Sequence, residues 1–135
     1  MVDAVSPAAV SPPPPMTLYV CTTCRDAGHV ADKPSAGARL YANIAAAPMD
    51  AIIRVVPVEC LSVCKRTCAV SFAAPGKWTY VYGDLPAETA AETILQGARL
   101  YAEAADGIIP WKQRPDALKK GVIARVPPLP ERAEA

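Results

Sequence analysis

The chain has 135 residues, of which 20% are charged, and a formal net charge of +1 at neutral pH. This length corresponds to one domain with a modest hydrophobic core. The near-zero net charge argues against a dedicated nucleic-acid binder, which would carry a strongly basic face. No segment approaches the ~20 consecutive apolar residues that a membrane-spanning helix requires. We therefore expect a protein that binds neither nucleic acid nor membranes.

The first 15 residues form a proline-rich segment. Five prolines interrupt it, and it lacks the basic start of a secretory signal. We expect residues 1–15 to be a disordered, polyproline-type tail, or a product of translation that starts upstream of Met16. The rest of the chain divides into a compact domain over residues 16–107 and a basic, proline-containing C-terminal extension over residues 108–135.

The compact domain begins with a predicted βαβ unit. Apolar runs at residues 17–20 and 52–58 are typical of short buried strands. Between them, apolar residues recur at helical spacing after Ser35, which is a good N-cap, and the pattern ends at Pro48. Two strands joined by such a helix are expected to lie parallel, with a right-handed crossover.

A β-hairpin and a second helix follow. Residues 69–73 and 78–82 predict two strands joined by a turn that contains proline and glycine. Pro86 is expected in the first turn of the second helix, and Gly107 is expected to end it. The order βαβ–ββα, with a four-stranded mixed sheet and flanking helices, is that of a minimal thioredoxin-like α/β fold.

All five cysteines lie in two clusters, each directly after a predicted strand. Cys21 and Cys24 follow the first strand, and Cys60, Cys64 and Cys68 follow the second. Two neighbouring strand ends could bring these sulfurs to one rim of the sheet, where thiolates suit an iron–sulfur cluster, zinc or another soft ion. Because the N-terminus lacks the basic start of a secretory signal, we expect a cytoplasmic protein that keeps its thiols reduced, and an odd number of cysteines also fits disulfide pairing poorly.

Several of these segments resemble a known class of proteins. The strand that ends at Cys21, the loop of residues 59–64 and the hairpin that reaches Tyr80 are similar to the thioredoxin-like 2Fe–2S ferredoxins. More of the chain, residues 19–128, resembles a bacterial family of unknown function, and residues 110–115 and 124–128 are distinctive for it. Its members are described as predicted metal-binding proteins and often occur beside genes for cobalamin synthesis and cobalt handling.

The resemblance to the ferredoxins implies ligands at Cys21, Cys60 and Cys64. The remaining ferredoxin ligand would fall near residues 32–37, where this chain has no cysteine. Cys24 stands three residues after Cys21, a separation that lets two sulfurs bind one iron. The expected ligand set is therefore Cys21, Cys24, Cys60 and Cys64, with Cys68 as an alternative fourth ligand or as a neighbour of the centre.

These observations predict a small ferredoxin-like protein in which a 2Fe–2S cluster passes electrons between redox partner proteins, in the service of cobalamin or cobalt metabolism. The alternative is a metal-binding or metal-delivery protein for zinc or cobalt, with a four-cysteine site and no electron transfer. A thiol-redox protein is disfavoured, because residues 25–34 separate Cys24 from the helix whose N-terminus would activate it. The sequence does not determine the oligomeric state, and a homodimer is one alternative.

No catalytic machinery is evident from the residue types. There is no glycine-rich phosphate loop and no carboxylate pair in an acid–base context, so we expect no enzyme activity. The single histidine, His29, is expected to be a solvated loop residue.

Charge is distributed unevenly along the chain. Residues 108–130 hold five basic residues and one acidic residue, a net +4, whereas residues 84–106 hold one basic and five acidic residues, a net −4. We expect the basic extension to pack against the acidic second helix. The alternative is that the extension forms an electrostatic docking surface for a redox partner.

Overall fold

The computed structural model describes residues 16–25, 30, 32–48, 51–62 and 64–130. The predicted tail over residues 1–15 and His29 lie outside this part of the chain. Among the described residues, no helix is long and apolar enough to span a bilayer.

The described residues form one mixed α/β arrangement. Its strands are β1 (Met16–Cys21), β2 (Ile53–Val58), β3 (Val70–Ala73), β4 (Thr79–Tyr82) and β5 (Val122–Val126). Its α-helices are α1 (Ala36–Ala46), α2 (Ala91–Glu103) and α3 (Asp116–Lys120), and 3-10 turns occur at Cys64–Arg66 and Trp111–Gln113. The predicted order βαβ–ββα is confirmed.

The strands form a sheet with the order β2-β1-β3-β4-β5. β1 and β2 are parallel, and Cys21 lies opposite Val58 at their carboxyl ends. β3 is antiparallel to β1, with Val70 opposite Val20, so the start of β3 lies at the same edge as Cys21. This edge therefore collects the segments that carry both cysteine clusters.

The prediction of four strands was wrong, because the C-terminal extension supplies a fifth. Residues Val122–Val126 pair antiparallel with β4, and Val81 lies opposite Ala124. Four of its five residues are apolar, but Arg125 interrupts the run, two prolines follow Val126, and none of the five residues is fully buried. Pairing with the free edge of β4 provides its backbone hydrogen bonds instead.

The first helix agrees with prediction and the second starts later than predicted. Ser35 caps α1, since its Oγ accepts a hydrogen bond from the Ala38 amide at 3.1 Å. Pro86 is not in the first turn of α2, which begins at Ala91. The Pro86 carbonyl instead accepts hydrogen bonds from the Thr89 and Ala90 amides and closes a separate turn.

Four aromatic rings form the centre of the core. Phe72, Tyr80, Tyr82 and Tyr101 are fully buried and pack against one another, with ring centroids 5.0–6.3 Å apart. Tyr80 and Tyr82 lie two positions apart on β4, so both side chains face the same side of the sheet and pack into the core.

The extension also docks against α2, as expected. Leu118 of α3 is fully buried, and a Cβ placed on Gly97 of α2 would overlap the Leu118 Cδ1 atom. The extension therefore packs on α2 through an apolar contact of Leu118 with the helix at Gly97, which has no side chain.

Candidate metal centre

Cys21 lies at the point where three strands meet. Its amide donates a hydrogen bond to the Ala69 carbonyl at 3.1 Å, and the next amide, that of Thr22, donates to the Val58 carbonyl at 2.8 Å. The backbone on both sides of the Cys21 thiol is thus tied to β2 and to the residue before β3. Only 1% of the Cys21 surface is exposed.

Cys24 lies beside Cys21 and is equally buried, with 2% of its surface exposed. The two Sγ atoms are 3.2 Å apart, and both thiols are free of a disulfide bond. Two thiolates bound at about 2.3 Å to one tetrahedral ion would lie about 3.8 Å apart. A small adjustment of the side chains would therefore allow both sulfurs to bind the same ion.

The N-terminal turn of α1 packs into the bend between these two cysteines. The Gly37 amide donates a hydrogen bond to the Cys24 carbonyl at 2.9 Å. Residues 25–34 separate Cys24 from this helix along the chain, but in space the first turn of the helix contacts Cys24. The Gly37 amide contacts the carbonyl oxygen of Cys24 and not its sulfur. The Cys24 sulfur instead hydrogen-bonds with the Cys21 sulfur and the Ala69 amide.

The two thiols differ in acidity. Burial raises the pKa of Cys24 to about 12, and its hydrogen bond with Cys21 acts in the same direction. Burial also opposes ionisation of Cys21, but hydrogen bonds from the Cys24 thiol and from the Leu61 and Thr23 amides outweigh it and lower the Cys21 pKa. The lowered pKa of Cys21 favours its thiolate form, and a metal ion bound by both sulfurs would displace the thiol protons.

Cys68 lies next to this pair. It is buried, and it interacts electrostatically with Cys24. Its amide donates to the Leu85 carbonyl at 3.0 Å, and its carbonyl accepts from the Leu85 amide at 3.3 Å. The Thr67–Cys68 peptide bond is cis. Three buried thiols, those of Cys21, Cys24 and Cys68, therefore occupy one region of the sheet edge.

Cys60 lies at the rim of this region and is exposed. The residues on both sides of it contact Cys21: the Cys21 Sγ is 3.7 Å from the Glu59 carbonyl oxygen, and the Leu61 amide hydrogen-bonds to Cys21. The hydroxyl of Thr23 also donates to the Glu59 carbonyl. The Cys60 sulfur itself accepts a hydrogen bond from the Ser62 amide at 3.1 Å.

Cys64 begins the 3-10 turn at Cys64–Arg66, and its side chain lies outside the described part of the structure. Among the described residues, no group of three or more His, Cys, Asp or Glu side chains is arranged so that it could hold a metal ion. The structure brings the Cys21 and Cys24 sulfurs together, with Cys68 buried one residue before Ala69, the partner of the Cys21 amide, and with the Cys60 thiol at the rim. A set of thiols alone fits a soft ion or an iron–sulfur cluster.

Sequence reasoning missed the charge partner of Arg66. Arg66 pairs with Asp84 through its Nε at 2.9 Å and its NH2 group at 2.5 Å, so an acidic residue offsets its positive charge beside the cysteine loop. Asp84 also raises the Arg66 pKa. The two residues are 18 positions apart, so no local sequence signal reveals the pair.

The fold and the site define a small α/β domain with a cluster of buried thiols at one edge of its sheet. The chain belongs to the family described as "Protein of unknown function (DUF1636)", which residues 18–128 match. Among solved structures it is similar to a thioredoxin-like [2Fe-2S] ferredoxin from Aquifex aeolicus, with 16% sequence identity and a TM-score of 0.49. That similarity covers 83% of this chain and 93% of the ferredoxin chain. A search of the curated proteins finds no match.

Proposed function

We propose that this protein is a small 2Fe–2S electron-transfer protein whose ligands are Cys21, Cys24, Cys60 and Cys64. The observation that carries the proposal is the 3.2 Å approach of the buried Cys21 and Cys24 sulfurs. The contacts of residues 59 and 61 with Cys21 add support, because they bring the backbone around Cys60 to the same pair.

A 2Fe–2S cluster at this position would supply one-electron transfer. The protein would exclude water from the two buried sulfurs and hold them in place through the backbone bonds of Cys21 and Cys24. Amides of Ala69 and Ser62 donate hydrogen bonds to the sulfurs of Cys24 and Cys60. Such bonds stabilise negative charge on sulfur and therefore favour the reduced state.

A metal-binding or metal-delivery protein for zinc or cobalt is the second candidate. The observation in its favour is the exposure of the Cys60 thiol at the rim, beside two buried thiols. An exposed thiolate could receive an incoming ion and pass it inward to the buried pair.

An absorption spectrum separates the two candidates. Protein reconstituted anaerobically with iron and sulfide should be red-brown, with visible charge-transfer bands that bleach on reduction. A colourless protein that holds one equivalent of zinc would refute the iron–sulfur proposal and support the second candidate.

The ligand set is tested in the same spectra. Cys21→Ser, Cys60→Ser and Cys64→Ser should each abolish the bands or alter them grossly, because a harder oxygen ligand replaces sulfur. Ser62→Gly is the matched control: it changes a loop neighbour of Cys60 and suits the positive φ of 63° at this position. An unchanged spectrum for Cys64→Ser would refute the assignment of Cys64.

A further inference from the structure

One charged surface of the molecule has no part in the proposed metal centre. This basic strip consists of Lys65, Arg66, Lys112, Lys119 and Lys120 together with the exposed ring of Trp111. Lys65 and Arg66 lie between Cys64 and Cys68, whereas the other members belong to the C-terminal extension. The tertiary structure joins the two parts.

Two backbone hydrogen bonds bring the two parts of the basic strip together. The Asp84 amide donates to the Arg66 carbonyl at 2.8 Å, and the amide of the preceding residue, Gly83, donates to the Gly121 carbonyl at 2.8 Å. Arg66 and Lys120, which precedes Gly121, therefore flank the same two-residue segment. The basic strip begins at the cysteine loop and continues into α3.

Trp111 lies at the far end of the strip. About three-fifths of its surface, 59%, is exposed, which is unusual for so large an aromatic side chain. The Lys119 Nζ lies 5.7 Å from its ring centroid, and the Arg114 guanidinium carbon lies 5.4 Å from it. Tryptophan is one of the residue types that most often dominate binding energy at protein interfaces, whereas the Arg114 guanidinium is held by the Ile109 carbonyl and the Tyr80 hydroxyl.

Positive charge exceeds negative charge along the strip. Asp84 pairs with Arg66, and Asp116 pairs with Lys119 at 3.8 Å. Lys65, Lys112 and Lys120 are exposed and have no ion pair within the described part of the chain. With five cations and two carboxylates, the strip carries a net +3 on a chain of net +1, so the remaining residues carry a net −2.

We propose that the basic strip is the docking surface for an acidic protein, with Trp111 as the apolar anchor at one end. An acidic protein surface complements the local excess of positive charge, and such complementarity accelerates weak, transient encounters. A nucleic acid fits less well, because a nucleic-acid-binding domain carries a strongly basic face, whereas two of the five strip cations are already paired with carboxylates and the whole chain has a net charge of only +1.

The position of the strip identifies the class of partner. Its first two cations follow Cys64 directly in the chain, so a docked protein would lie next to the proposed centre. The inference that this acidic protein exchanges electrons with the chain rests on the proposed function, whereas the docking surface itself does not.

The test measures binding of a defined polyanion to the full chain. Poly-L-glutamate of about 20 residues is titrated at low salt and compared with oligothymidylate of equal charge. Indole N–H resonances report the position, since Trp111 lies on the strip and the half-buried Trp78, 4.9 Å from Arg125, serves as an internal reference. Polyglutamate should shift the Trp111 resonance selectively and bind more tightly than oligothymidylate.

Two double variants with the same change of net charge complete the test. Lys112→Glu/Lys120→Glu reverses two charges on the strip, and Lys33→Glu/Arg54→Glu reverses two exposed charges elsewhere. The first should weaken polyglutamate binding by about tenfold or more at low salt, because like charges across an interface repel, and the second should weaken it much less. Trp111→Ala should also weaken binding.

Equal weakening in both double variants, or no shift of the Trp111 resonance, would overturn the docking surface. Tighter binding of oligothymidylate would assign the strip to single-stranded nucleic acid and overturn the choice of an acidic protein. Neither the shift of the Trp111 resonance nor the binding affinity depends on the visible absorption of a cluster. Failure of the iron–sulfur proposal would therefore be seen in the absorption spectrum alone and would leave this result unaffected.

Discussion

Gly37 lies directly against the backbone of Cys21. A Cβ at position 37 would overlap the Cys21 carbonyl oxygen and approach the Cys24 nitrogen to 3.1 Å. The first turn of α1 can therefore enter the bend between the two cysteines only because residue 37 has no side chain. This close approach couples the helix to the candidate metal centre.

Gly37→Ala should destabilise the protein and, under the proposed function, lower the amount of metal that it binds on reconstitution. Alanine is the better helix former by about 1 kcal/mol, so a purely helical effect would stabilise the fold. We expect the overlap with Cys21 to outweigh this gain and to displace α1 from the bend. Urea unfolding and metal analysis measure the two effects.

Ala42→Ser, at an exposed position of the same helix, is the control and should change both quantities little. A Gly37→Ala protein that is more stable than wild type and holds the same metal content would contradict the role of the contact.

Cys24 and Cys68 should respond differently to replacement. If Cys24 is the fourth ligand, Cys24→Ser should shift the visible spectrum or lower cluster occupancy, because a metal–thiolate bond is lost. Cys68→Ser should leave the bands and chiefly move the reduction potential, since a neighbouring sulfur changes only the electrostatic surroundings. Spectra and redox titrations of both variants, reconstituted identically, provide the measurement. A cluster lost in Cys68→Ser but intact in Cys24→Ser would reverse the assignment.

Two tyrosines of β4 should respond oppositely to removal of their hydroxyl groups. The buried Tyr82 hydroxyl has no hydrogen-bond partner among the described residues, so Tyr82→Phe should stabilise the protein, by about 1 kcal/mol. The Tyr80 hydroxyl accepts hydrogen bonds from the Ile109 amide at 3.4 Å and from an Arg114 NH2 group at 3.1 Å. Tyr80→Phe should therefore destabilise it by about 1 kcal/mol.

Each variant serves as the control for the other, because both side chains are fully buried on the same strand. Urea unfolding at neutral pH measures the difference. Equal destabilisation by both changes would show that the Tyr82 hydroxyl has a partner in solution.

The stability of the fold should fall at alkaline pH, in part through Tyr101. Burial raises its pKa from 10.0 to about 12, the charge of Tyr80 adds to the effect, and its hydroxyl donates to the Trp78 carbonyl at 2.5 Å. Above pH 10 the unfolded chain releases this proton while the folded chain keeps it. The stabilising contribution is therefore complete below pH 10 and is lost as the pH rises to about 12.

Urea unfolding between pH 8 and pH 12 measures this dependence. Tyr101→Phe should be less stable than wild type at pH 8, because the hydrogen bond is lost, but it should lose less stability over the alkaline range. Part of the dependence should remain, since burial also raises the pKa of Tyr82. A decline as steep as that of wild type would contradict the assignment to Tyr101.

Elements that depend on nearby residues were predictable from the sequence. The cap at Ser35 and the end of α1 before Pro48 follow from hydrogen bonding and ring sterics within a few positions. The first four strands follow from apolar runs bounded by turns. The candidate cysteines could be recognised because their spacing is visible in the chain itself, and the order of elements predicts that both clusters meet at one edge.

Relations between distant residues were decided only by the tertiary structure. β5 is short, its last three residues are exposed and prolines follow it, and it is a strand because the edge of β4 offers hydrogen bonds to a segment about 40 positions later. The contact of Gly37 with Cys21 and the pairing of Arg66 with Asp84 likewise join residues far apart in the chain. Such contacts depend on which surfaces the packed elements bring together, and local propensity carries no information about them.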